Sequence, residues 1–191
     1  MKYRHLGKSG IKISEIGLGG WLTFGQSIGE NRGQELIDKA MELGINFYDT
    51  ANVYARGKCE EMWGDLLKKY RRSSYILATK VFGPMGDWPT DQGLSRKHIM
   101  EQCHASLRRL QTDYIDLYQC HRYDDSTPLE ETVRAMDDLV RQGKVHYWGF
   151  SEWSVDNIKE VRAACGSTYA KPISNQPQYN IIQRRIEPGV I

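Results

Sequence analysis

A chain that repeats strand then helix has few folds open to it, and this one repeats that unit about every 30 residues. Strand-like runs fall at 16–20, 45–50, 75–80, 115–121, 145–151 and 173–178. Between them, apolar residues recur at helical spacing. Leu36, Ile37, Ala40, Met41 and Leu43 form one such stripe, and Met62, Trp63, Leu66 and Leu67 another. Ile99, Met100, Cys103, Leu107 and Leu110 form a third, and Val133, Met136, Leu139 and Val140 a fourth. A fifth helix is predicted from 154 to about 164. Strict alternation predicts a parallel sheet with helices outside it, either an open doubly wound sheet or a (β/α)8 barrel. Six strands and five helices in 191 residues make one domain, 1–191, about two units short of a barrel.

Local punctuation supports these boundaries. Asn31, Ser95 and Ser154 stand where helices need N-caps, and Gly44 and Gly143 stand at two helix ends. Thr127-Pro128-Leu129-Glu130 has the form of a capping box with proline at the first helical position. Residues 2–14 read as a β-hairpin around Gly7 and Gly10.

Strand parity then collects the chemistry. Residues two apart share a face, so Phe47 and Asp49, Ala78 and Lys80, Gln119 and His121, and Gly149 and Ser151 form four same-face pairs. Each pair ends in a polar group at the C-terminal end of its strand, where parallel α/β folds build their sites. Tyr54 follows Asp49 by five residues. An ammonium near a phenol is expected to lower its pKa from about 10. A carboxylate would hold that ammonium, and a histidine would orient a carbonyl oxygen. Such a phenol suits general-acid catalysis of carbonyl reduction. Trp21, Tyr54 and Trp88 predict an apolar pocket. Gly17-Leu18-Gly19-Gly20 fails as a dinucleotide fingerprint, because Leu22 occupies the last glycine position. A strand end close to a ligand is the expectation there.

The net charge is only +2, with acids and bases interspersed, so neither nucleic acid nor a membrane surface is an expected partner. No apolar run approaches about 18 residues, so membrane insertion is not expected. The four cysteines form no CxxC pair and have no histidines at zinc spacing. Free thiols, no metal and, with no signal-like N-terminus, a cytoplasmic location are the expectations.

The motifs Asp49-Thr50-Ala51-Asn52-Val53-Tyr54, Gly57-Lys58-Cys59-Glu60, Ala78-Thr79-Lys80 and Trp148-Gly149-Phe150-Ser151 occur in order. With the later His121 they closely resemble the aldo-keto reductases, in particular the branch containing voltage-gated potassium channel β subunits. The resemblance implies a (β/α)8 TIM barrel, here incomplete, with the N-terminal hairpin closing its bottom. It implies NADPH as cofactor and a small-molecule carbonyl substrate. It makes Tyr54 the proton donor, Lys80 its pKa modulator, Asp49 the partner of that lysine and His121 the carbonyl-orienting residue. It places Ser151 and Gln176 near the nicotinamide carboxamide, and Gly20 and Trp21 beside the nicotinamide and substrate.

In the channel β subunits asparagine stands at the position of His121, so histidine here favours an enzyme. Glu152 departs from the family pattern and receives no cofactor contact. Family members continue for two further strands and helices, so the expectation is a truncated chain with a full catalytic tetrad and a partial cofactor site. A regulatory NADPH-binding protein and an inactive remnant are the competing readings. Relatives in this branch are often tetrameric, which makes a homo-oligomer an expectation as well.

Overall fold

The computed structural model describes residues 1–190. It opens with an antiparallel hairpin of β1 (Tyr3–His5) and β2 (Lys12–Ser14). A parallel sheet follows in sequence order: β3 (Leu18–Gly19), β4 (Phe47–Asp49), β5 (Ile76–Val81), β6 (Ile115–Cys120) and β7 (Val145–Phe150). The connecting helices are α1 (Glu30–Glu42), α2 (Lys58–Leu67), α3 (Arg96–Leu110) and α4 (Leu129–Arg141), and α5 (Val155–Cys165) follows β7. Neighbouring strands are successive in the chain, as in a barrel wound in one direction. Five strands form an open arc, an incomplete α/β barrel.

The sixth strand expected at 173–178 does not form. Residues 173–176 run parallel to β7 and bond to it through the Ile173 amide to the Trp148 carbonyl, Phe150 to Ser174 and Gln176 to Phe150. The result is one isolated bridge, Phe150 with Asn175. Pro172 and Pro177 bracket the segment, which limits its ladder hydrogen bonds.

The hairpin packs at the N-terminal end of the strands. Asn46, just before β4, accepts from the Ser14 amide at 2.7 Å and donates to the Lys12 carbonyl at 3.1 Å. The Tyr3 hydroxyl donates to the Gly44 carbonyl at 2.8 Å. The bottom is therefore covered, as the resemblance implied, and the opposite end is left for chemistry.

Helix ends follow the sequence reading in part. Ser95 accepts from the His98 amide, and Ser154 forms a capping box with Asn157. Gly44 and Gly143 take positive φ just past α1 and α4. Two expectations fail. α1 starts at Glu30 with Gly29 before it, so Asn31 lies inside the helix. Pro128 precedes the first turn of α4, and Thr127 donates instead to the Asp124 carboxylate at 2.8 Å. Asp124 also accepts from the Leu94 amide, so it draws the Thr127 hydroxyl into its own loop network.

The outward sheet face is buried by the helices. Tyr48 of β4 and Phe24 meet Trp63 of α2 edge-on at 5.4 and 5.2 Å. The helix layer also encloses an ion pair. Glu60 of α2 is fully buried and accepts from Arg109 Nε of α3 and from Thr79 Oγ1 of β5, both at 2.6 Å. Thr79 precedes Lys80, so this pair ties two helices to the strand that carries the site lysine.

Leaving that carboxylate unpaired has a large expected effect. Arg109→Met should destabilise the chain by about 3–5 kcal/mol. The double change Glu60→Met, Arg109→Met should recover more than half of the loss, because it removes the buried charge too. Urea unfolding of the three proteins measures this, and a double variant as unstable as the single one would contradict it.

Candidate active site

Every strand of the sheet delivers its C-terminal residues to one rim, and the backbone ladder continues past the strand ends. The Gly20 amide donates to the Asp49 carbonyl, Asn52 to Lys80, His121 to Val81 and Ser151 to Cys120, at 2.8–3.1 Å. The expected parity is realised. The Lys80 side chain is 2% exposed, and its Nζ lies 2.6 Å from Asp49 Oδ2 and donates to the Thr50 carbonyl at 2.8 Å.

Tyr54 reaches this pair from a strained turn. Residues Tyr54–Gly57 form a kinked helical turn in which Ala55 and Arg56 have left-handed φ of 50° and 53°. Left-handed conformations in non-glycine residues cost roughly 1–3 kcal/mol each and cluster at functional sites. The Tyr54 ring stands with Lys80 Nζ 5.3 Å from its centroid and meets the His121 ring edge-on at 5.6 Å. Tyr54, Lys80, His121, Ser151, Gln176 and Trp21 all line one cavity of about 530 Å³. Asp49 lies behind Lys80.

Two site expectations change. Trp88 is 76% exposed and does not line the cavity, because the loop folds on itself through bonds between Trp88, Asp91 and Met85. Gly20 faces the protein rather than open space. A Cβ there would come within 2.6 Å of Cys59 Sγ and 3.1 Å of Trp63 Nε1. Its carbonyl already accepts from Phe24 and Cys59. Gly19, with no atom within 4 Å of a Cβ position, is the open one.

The electrostatics also differ from expectation at the phenol. Burial, then the Asp49 charge, hold Tyr54 above the usual tyrosine range rather than below it. Asp49 offsets the Lys80 charge, and burial disfavours phenolate, so the phenol stays protonated. His121 is pushed down to about 3, first by burial and then by the Lys80 and Arg122 charges, so its imidazole is neutral.

Sequence reasoning placed Gln119 on the site face but gave it no role, and did not foresee the bonds that link the residues around it. Gln119, 1% exposed, donates to Gln176 Oε1 at 3.1 Å and lies 3.5 Å from Asp49 Oδ1. Its parity with His121 was the available signal. Glu152, with φ of 62°, accepts from the Gln178 amide and from Arg185. Ser151 Oγ donates to the Gln176 carbonyl at 2.7 Å. These bonds leave the Ser151 oxygen free to accept and the Gln176 amino group free to donate, which fits a primary carboxamide such as that of nicotinamide. Among the described residues no group of three or more His, Cys, Asp or Glu is arranged to hold a metal ion, and no helix is long and apolar enough to cross a membrane.

The profile of the Aldo/keto reductase family matches residues 15–191. The chain therefore belongs to the aldo/keto reductase family. It is 44% identical over 187 residues to a probable voltage-gated potassium channel subunit beta of Arabidopsis thaliana, and 42% to its counterpart in Oryza sativa subsp. japonica. Each match covers 96% of this chain and 57% of the relative's length. Among solved structures, a thermostable aldo-keto reductase in complex with the inhibitor epalrestat superposes with a TM-score of 0.86 at 33% identity, covering 98% of this chain and 66% of that one.

The neutral state of His121 can be read directly. By NMR, the imidazole signal that disappears in His121→Asn should not move between pH 8 and pH 5. The unfolded state takes up a proton at about 6.5, and the folded state does so only near 3. Stability should therefore fall as pH drops from about 6.5 toward 3, and fall less in His121→Asn. A resonance titrating near 6.5 would overturn this account.

Proposed function

We propose that the chain belongs to a cytoplasmic NADPH-dependent reductase that converts an aldehyde or ketone to its alcohol. The observation that carries this reading is one cavity lined by Tyr54, Lys80 and His121, with Asp49 paired to the lysine. NADPH would supply a hydride to the carbonyl carbon. Ser151 and Gln176 would hold its carboxamide, with Trp21 along the cavity wall.

The chain's own residues handle the oxygen. A substrate carbonyl against Tyr54 would take the phenolic proton as negative charge builds on it. Burial keeps that proton in place until then. As it leaves, the Lys80 ammonium stabilises the charge passing to the phenol oxygen. Asp49 holds the ammonium in position through its 2.6 Å contact. His121, neutral, donates an N–H to the carbonyl oxygen and orients it.

A second reading, an NADPH-binding regulatory subunit, is favoured by the 44% and 42% identity to relatives named as channel β subunits. The imidazole of His121, edge-on to the Tyr54 ring at 5.6 Å, favours turnover. Tyr54→Phe separates the two. Carbonyl-dependent NADPH oxidation should fall roughly 10²–10⁴-fold while NADPH binding survives. Unchanged turnover would mean that another group donates the proton. Binding by the unmodified chain without turnover of any carbonyl would favour the regulatory reading.

A further inference from the structure

Gln119 has no part in the proton chemistry above, yet its amide is buried between two site groups. In register it lies opposite Lys80 on one side and Gly149 on the other. The missing side chain at Gly149 is what lets segment 173–176 approach Gln119. A Cβ there would come 2.3 Å from Ser174 Oγ and 2.8 Å from the Ser174 carbonyl, so segment 173–176 lies close against a strand with no side chain at that point. Gln119 Nε2 donates to Gln176 Oε1 of that segment at 3.1 Å.

The direction of that bond has a physical cause. Asp49, paired with Lys80, presents carboxylate oxygens that can only accept. Its Oδ1 is 3.5 Å from Gln119 Nε2. A reversed Gln119 amide would aim its carbonyl oxygen at that charge. The carboxylate therefore keeps the Gln119 amino group turned inward, and the same amino group donates to Gln176 Oε1. With its oxygen turned toward Gln119, Gln176 is left with a free amino group to donate into the cavity.

We propose that Gln119 is a positioning residue that relays the Asp49 charge to Gln176 and holds Gln176 as a hydrogen-bond donor toward a carboxamide carbonyl oxygen. This deepens the nicotinamide reading and rests on it. The lysine partner thereby has a second task, setting which way the cofactor-facing amide points.

The test compares NADPH with its thionicotinamide analogue, whose sulfur is a poorer acceptor than oxygen. Both are titrated against the chain and against Gln119→Leu and Gln119→Met, following tryptophan fluorescence. The unmodified chain should bind the analogue about tenfold more weakly than NADPH, the scale of one hydrogen bond. In both variants NADPH should weaken about tenfold and the ratio between the two ligands should fall toward one. Thermal melts without ligand identify a variant that fails to fold, in which case the other carries the result. If folded variants weaken both ligands equally and keep the ratio, Gln119 only packs and the relay is wrong, while the nicotinamide reading stands. If the unmodified chain binds neither ligand, both ideas fall together.

Discussion

A lysine side chain only 2% exposed is tolerable only if something answers its charge, and here the Asp49 carboxylate does so at 2.6 Å. The Thr50 carbonyl takes a second hydrogen bond at 2.8 Å. That pair joins β4 to β5 across the sheet interior and sets the field in which the neighbouring groups sit. Burial, then the Asp49 charge, hold the Tyr54 proton in place, so the phenol stays protonated in the resting site. The Lys80 charge contributes to keeping His121 neutral. The carboxylate also faces Gln119.

The scaffold serves this pair from outside. Thr79, one residue before Lys80, points the other way and donates to the buried Glu60, which Arg109 holds from α3. Two carboxylates, the half-buried Asp49 and the buried Glu60, thus flank one strand on opposite faces, each matched by a cation. The inner one belongs to the cavity and the outer one to the helix layer. The hairpin closes the far end through Asn46 and Tyr3.

Much of the site was legible because a strand has a period of two. Asp49, Lys80, His121 and Ser151 follow from parity alone, since neighbouring strands are in register and their ends share a rim. Tyr54 was legible as a loop residue following such a strand end. What parity could not show was distance. Gly20 turned out to accommodate Cys59 and Trp63, and Trp88 turned outward, because both outcomes depend on segments remote in sequence. The failure at 173–178 has a similar origin. A strand needs partners along its length, and two prolines with one neighbouring strand leave only a bridge. Thr127 shows the same limit at short range, where a nearby aspartate outcompeted the helix end for its hydroxyl.

By itself the sequence determined the order of strands and helices, the face on which each side chain stands and the residue types gathered at one end, because these depend on local periodicity. The tertiary structure alone decided the charge balance of the phenol, the direction of the Gln176 amide and the burial of Glu60. Those depend on solvent exclusion and on contacts between residues 31 to 70 positions apart, such as Asp49 with Lys80 and with Gln119. No local pattern encodes them, since each arises only when the strands are set side by side.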